Sequence, residues 1–189
     1  MAIEVHHDAL HRLGIEEYHQ LVRAGGFDED ARVELLDGLI VDMSPKSPQH
    51  ENAIVFLADW LRKQIDPATH HLRVAAPLTI GRSEPEPDLA VVTAPSPLDV
   101  HPAGARLVIE VSHTSRRRDL IEKPGLYAQA AICEYWVFDL DGRRAIRHAD
   151  PREGAYRDVT THAPGESVPG AGVGTPALRL DDVLSFAGM

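Results

Sequence analysis

The stretch from Glu84 to Tyr127, EPEPDLAVVTAPSPLDVHPAGARLVIEVSHTSRRRDLIEKPGLY, limits the possible folds more than any other part of the chain. It holds two short apolar runs, LAVV and LVIEV, joined by a connection rich in Pro and Gly. Short runs of β-branched and apolar residues between turn signals read as buried strands. Each run carries one carboxylate. Asp88 follows Pro87 at the start of the first, and Glu110 interrupts the second near its end. A carboxylate in a buried strand is costly unless it is paired, hydrogen-bonded or bound to a metal. Asp88 also reads as an ordinary acid at a strand start; Glu110, flanked by LVI and V, resists that explanation.

The elements around this stretch alternate between helical and strand patterns. Ile15 to Ala24 places Ile15, Tyr18, Leu21 and Val22 at helical spacing, and Gly25-Gly26 stops the helix. Arg32 to Met43 predicts a hairpin turning at Asp37-Gly38. Glu34 lies on its first strand, either as an outward acid on a half-wet sheet or as a third acid directed at a site. Ser47 to Ile65 predicts the longest helix, with Ile54, Leu57, Leu61 and Ile65 in one stripe, Ser47 as N-cap and Pro48 in the first turn. His50 falls near its start and reads first as a partly buried helix histidine, second as a catalytic one.

Strands are expected at Leu72 to Ala76, at Leu78 to Ile80, and in the two acid-bearing runs, with VTAPSPLDVHPAGA as a surface loop. Asp119 to Ala131 predicts a helix carrying Leu120, Lys123 and Tyr127 on a common side, with Pro124 marking a kink or a late start. Glu134 to Asp139 and Arg143 to His148 form a second hairpin around Asp141-Gly142. Tyr156 to Thr161 and the final LRLDDVLSF are the regular pieces of the remainder. There is no internal repeat or low-complexity tract.

With 189 residues, the chain is expected to form a single domain, residues 1–13 being an N-terminal arm and about 14–185 the core. A chain of this length buries roughly two-thirds of its unfolded surface. No apolar run approaches the roughly 20 residues that span a bilayer, and the N-terminus lacks secretory-signal character. Cys133 is the only cysteine, which excludes an internal disulfide and a cysteine-rich zinc site. A cytoplasmic location is expected. A metal site from His6, His7 and His11 is set aside, because terminal segments are poorly ordered unless tied down. The net charge of -10 disfavours non-specific binding of nucleic acid, which needs Lys and Arg on phosphates. It leaves room for a local basic face at Arg116, Arg117 and Arg118, or at Arg143, Arg144, Arg147 and His148; a solvated surface explains either cluster as well.

Asp88 and Glu110 on neighbouring strands would offer two hard oxygen ligands, suited to Mg²⁺ or Mn²⁺, with the Val111 backbone carbonyl as a third. Such an ion activates water and stabilises charge on a phosphoryl oxygen, and a nearby lysine adds to that charge stabilisation. On spacing alone, Lys123 is a helix-surface lysine.

The pieces VELLDGLIVDMSP, SPQHENAI, EPDLAVV, LVIEVSHTSRRRDLIEKPGLY and AAICEYWVFD together resemble the Uma-two family of putative restriction endonucleases, within the wider PD-(D/E)XK nuclease-like fold. The resemblance runs from Tyr18 to about Leu184. Pro87-Asp88 matches the "PD" of the pattern and Glu110 its second acid. Ser112 stands where a lysine is expected, and Lys123 on the following helix matches the family's displaced lysine. Glu34 matches an early glutamate that joins the acid cluster, and Tyr127 is expected to pack against Lys123 or bond the site. The resemblance implies an α/β (α+β) fold with a mixed central sheet flanked by helices. It also implies an Mg²⁺- or Mn²⁺-dependent endonuclease acting on nucleic acid, with DNA the expected substrate. A catalytically silent binding or regulatory module of the same fold is the alternative. A homodimer is expected, since two related sites cut a duplex most simply.

Overall fold

A computed structural model describes residues 10–28, 30–96, 99–113 and 115–189; His6 and His7 lie outside them. The centre is a six-stranded sheet in the order β3 (His70–Val74), β4 (Leu89–Thr93), β5 (Leu107–Ser112), β6 (Glu134–Asp139), β7 (Arg144–Arg152), β8 (Ala155–His162). Every neighbouring pair is antiparallel except β5 and β6, which run parallel. A parallel pair needs a crossover, and the helical segment that closes it carries Lys123 and Tyr127.

The central strands β4, β5 and β6 are buried on both faces, as their unbroken apolar runs require, while no residue of the edge strands β3 and β8 is fully buried. Side chains alternate along a strand, so Leu89, Val91, Leu107, Ile109 and Val111 face one layer. There they meet Ile54, Leu57 and Leu61 of α2 (Pro48–Gln64) and Val183 and Leu184 of α4 (Leu180–Ala187). Ala90, Val92 and Val108 face the opposite layer with Tyr127 of α3 (Lys123–Gln129), Tyr135 and Val137. By the same alternation Asp88 and Glu110 belong to this second face, and the pairing of Ala90 with Val108 sets them opposite one another.

The first hairpin forms as its sequence predicts, from β1 (Val33–Leu36) and β2 (Leu39–Asp42). Asp37 and Gly38 both take positive φ, 46° and 78°, the conformation of a tight two-residue turn. A bridge from Leu35 to Glu84 docks this hairpin beside the chain entering β4. Helix α1 (Ile15–Arg23) precedes it, and α2 is capped by Ser47, whose hydroxyl accepts from the His50 N–H. A short pair, β9 (Ser167–Val168) and β10 (Leu178–Arg179), leads into α4.

Three expectations change. Leu78 to Ile80 is not a strand: Ile80 makes only an isolated bridge to Ser83. Pro77, Pro85 and Pro87 lack the N–H groups that a ladder there would need. The third strand runs from His70 rather than Leu72 and ends at Val74, because Ala75 turns to a φ of 44° before Pro77. The helix expected from Asp119 begins instead as a π-turn, Arg118–Glu122, and becomes α-helical only at Lys123. Pro124 cannot donate to the carbonyl of Leu120. The Lys123 N–H reaches back five residues to Arg118, widening the turn where a regular helix would lose a bond.

Candidate active site

One small cavity of about 40 Å³ is lined by Glu34, Asp88, Glu110 and Lys123 together with Lys46, His50, Arg118 and Asp119. The four acids enter from four places: Glu34 from β1, Asp88 from the start of β4, Glu110 from β5, and Asp119 from the π-turn. All are buried, as is Lys123 at 4% exposure. The outward reading of Glu34 and the surface reading of Lys123 are therefore both wrong. The hairpin is docked on the Arg82–Glu86 segment, which turns Glu34 inward, and the π-turn aims Lys123 inward.

Each oxygen of Glu110 has a partner. Lys123 Nζ donates to Oε1 at 2.8 Å and Tyr127 Oη donates to the same atom at 3.2 Å, while the Asp88 N–H reaches Oε2 at 3.3 Å. Asp88 Oδ2 accepts from the Val111 N–H at 2.9 Å and lies 3.1 Å from His50 Nε2; Lys46 Nζ stands 3.9 Å from Oδ1. Lys123 also approaches Glu34 at 3.4 Å and Asp119 at 3.8 Å. Arg118 lies 3.5 Å from Glu34, the Glu86 N–H bonds Glu34, and Ser115 Oγ donates to Asp119.

Burial among like charges sets the protonation pattern. Burial pushes Glu110 well above the ordinary carboxylate range; Lys123 opposes that, and Asp119 and Asp88 add to it. Asp119 is also raised by burial, against the pull of Lys123. Burial acts the same way on Asp88, but the hydrogen bond and charge of His50, the Val111 amide and Lys46 outweigh it and hold Asp88 low. For Lys123, burial favours the neutral amine, yet Glu110, Glu34 and Asp119 reverse this and raise it above the ordinary lysine value. Lys123 is an ammonium at neutral pH and cannot serve as a base. Tyr127, raised by burial and then by Glu110, stays a neutral hydroxyl donor.

The donor set fits a hard divalent cation. Successive residues of a strand turn their main-chain groups to opposite edges. The Ser112 carbonyl accepts from Leu140 beyond β6, so the amide and carbonyl of Val111 face the β4 edge, where Asp88 stands. Two carboxylates and a carbonyl are what Mg²⁺ takes from a protein while keeping several waters. Among the described residues, no three Asp, Glu, His or Cys side chains form a ready-made cage, so water would supply the remaining ligands.

Sequence reasoning brought Glu34, Asp88, Glu110 and Lys123 forward, and the structure gathers all four. Tyr127 bonds the site through Glu110. Ser112 is fully buried, and the charge missing from it arrives from α3. His50 lines the cavity and bonds Asp88, so it is more than a partly buried helix histidine. Asp119 and Lys46 had no signal beyond the spacing of Asp119 four residues before Lys123. The basic clusters divide: Arg118 lines the cavity, while Arg116 and Arg144 pair with Asp139, and Arg147 pairs with Glu134 and Asp158. His148 is buried. In the second cluster Arg144 and Arg147 are therefore taken up by structural ion pairs, and His148 bonds the Tyr135 carbonyl.

A model of the Uma2 family, described as "Putative restriction endonuclease", matches residues 15–180. Among solved structures, the chain is similar to a protein from Anabaena variabilis described as a "putative nuclease belonging to DUF820", with a TM-score of 0.76 and 14% identity over 93% of this chain and 99% of that one. At that identity the likeness shows a shared fold. No curated protein matches the chain. Among the described residues no helix is long and apolar enough to cross a membrane.

Proposed function

Because the chain belongs to the Uma2 family of putative restriction endonucleases, we propose that it is a metal-dependent endonuclease that hydrolyses DNA phosphodiester bonds, acting through one nuclease domain. The observation that carries the reading is the convergence of Asp88, Glu110 and a protonated Lys123 on one cavity. Asp88, Glu110 and the Val111 carbonyl would hold Mg²⁺ or Mn²⁺. A bound ion of this kind lowers the pKa of water and stabilises charge on a phosphoryl oxygen.

The chain's own residues supply the rest. In hydrolysis, a water oxygen bonds to phosphorus and gives up a proton to solvent, the P–O ester bond breaks, and the departing oxygen takes a proton from solvent. Lys123, as an ammonium, donates to the attacking water or to a non-bridging oxygen whose charge grows as the bond forms. Glu110 holds its head, and Tyr127 in turn donates to the same oxygen of Glu110. Glu34, between Arg118 and Lys123, completes the charge balance and keeps the lysine from swinging out. Lys46 and Arg118 at the cavity are suited to phosphate oxygens. We propose a homodimer, because each copy brings one site and a duplex has two strands; light scattering showing a monomer at working concentration would remove that part alone.

The test is incubation of purified protein with supercoiled plasmid and Mg²⁺ or Mn²⁺, beside Asp88→Ala and Glu110→Ala. Nicking or linearisation that both substitutions abolish supports the proposal. A non-catalytic binding role is the second reading, favoured by the net charge of -10. Intact plasmid with folded wild-type protein, in Mg²⁺ and in Mn²⁺, would select it.

A further inference from the structure

His50 belongs to no part of the reaction above, yet it reaches Asp88 from the far side of the sheet. Its helix is fixed: Ala53, Leu57 and Leu61 of α2 are essentially inaccessible in the core, and Ser47 caps the first turn. The side chain is 12% exposed and its Nε2 lies 3.1 Å from Asp88 Oδ2. An ionised carboxylate only accepts hydrogen bonds, so Nε2 carries the hydrogen and donates it. The Val111 N–H donates to the same oxygen at 2.9 Å. One oxygen of Asp88 is thus held by two donors on separate elements, α2 and β5. The other, Oδ1, has among the described residues only the ammonium of Lys46, 3.9 Å away.

We propose that His50 is a positioning residue for the cation: with the Val111 amide it clamps Oδ2 of Asp88, so that Oδ1 is the oxygen presented to a divalent metal. The inference rests on the metal-dependent reading and assigns a role within it. Partners that orient a ligating carboxylate characteristically change metal affinity by 10- to 100-fold when removed. The clamp needs a donor at the place of Nε2 and does not need a charge. A glutamine can put its amide N–H there, a leucine fills the space without a donor, and an asparagine is too short to reach.

The test is Mn²⁺ binding to the full chain by calorimetry, in wild type, His50→Leu, His50→Gln, His50→Asn and Asp88→Asn, with melting of each metal-free protein. The expected result is a loss of about 10- to 100-fold in Mn²⁺ affinity for His50→Leu, with His50→Gln close to wild type and His50→Asn resembling His50→Leu. Melting temperatures should not follow that order. If His50→Leu fails to fold, the contrast between His50→Gln and His50→Asn decides, since only the reach of the amide differs. Equal affinity in His50→Leu and wild type, or in His50→Gln and His50→Asn, overturns the clamp. If Asp88→Asn loses binding in that case, the metal reading stands without it. Wild-type protein that binds no Mn²⁺ overturns both.

Discussion

Lys123 Nζ lies 2.8 Å from Glu110 Oε1, although the two residues sit on different elements, one on β5 and the other beyond a π-turn. The contact joins a strand acid that burial would neutralise to a helix lysine that burial would also neutralise. Each keeps the other's charged form accessible, and neither is easily removed alone.

Lys123→Met is the direct test of this pairing. It keeps the stem's bulk and leaves Glu110, Glu34 and Asp119 without their shared cation. A buried pair broken on one side costs about 3–5 kcal/mol, far more than a surface lysine would. Urea unfolding should show this loss at neutral pH and much less of it near pH 4, where the acids can protonate. Cleavage by whatever fraction remains folded should fall at least about a hundredfold. A variant as stable and as active as wild type would return Lys123 to a passive role.

Lys46 is predicted to act on phosphate rather than on the fold. With 22% side-chain exposure and, among the described residues, only a long contact to Asp88, its removal should cost little stability. Lys46→Met should weaken DNA binding uniformly across sequences and reduce the slope of log K against log[salt] by about 1. Fluorescence anisotropy at several salt concentrations, in an Asp88→Asn background, measures this. An unchanged slope would place Lys46 off the nucleic-acid path.

His148 gives the fold a pH dependence away from the site. Burial holds it below the ordinary histidine value, against a hydrogen bond to the Tyr135 carbonyl, and it packs between Tyr135 and Tyr156. The unfolded chain therefore binds more protons in this window, so stability rises with pH up to about 6.5 and is lost as pH falls toward the folded value. Denaturation at pH 5, 6 and 7 should show that slope in wild type and a shallower one in His148→Phe. Parallel curves would exclude His148 as the source.

Leu57 tests the layer behind the metal acids. It is fully buried between α2 and the sheet, and Leu57→Ala should cost about 2–5 kcal/mol, read as a lower urea midpoint. Because α2 also carries His50, any folded fraction should bind Mn²⁺ more weakly as well. Unchanged stability would contradict the packing of α2 on the sheet.

Much of this arrangement could be read from the sequence because buried charge is conspicuous there. Glu110 within LVIEV had to be explained, and Asp37-Gly38 fixed the hairpin that brings in Glu34. Lys123 shares a helical side with Leu120 and Tyr127 in the sequence, but only family resemblance marked it as a site residue, because its burial depends on a π-turn before Pro124 that helical spacing does not show. Asp119 and Lys46 were hidden for a similar reason. Each sits in an irregular segment whose direction is decided by the elements it joins. The false strand at Leu78 to Ile80 shows the reverse error, since its apolar pattern was right for burial but the surrounding prolines removed its partners.

The Val111 amide, described above as a donor to Asp88, is a main-chain group in a sheet that depends on a side chain. Its neighbours in β5 are guarded by the ladder and should exchange with solvent deuterium only on large-scale opening. Val111 is guarded by one carboxylate. Its exchange rate should therefore follow the state of Asp88 rather than the stability of the sheet, and Asp88→Ala should release this single amide while those of Val108 and Ile109 stay slow. The protein carries an isotope-readable gauge of its own site, one that registers a rotated carboxylate before any change in fold.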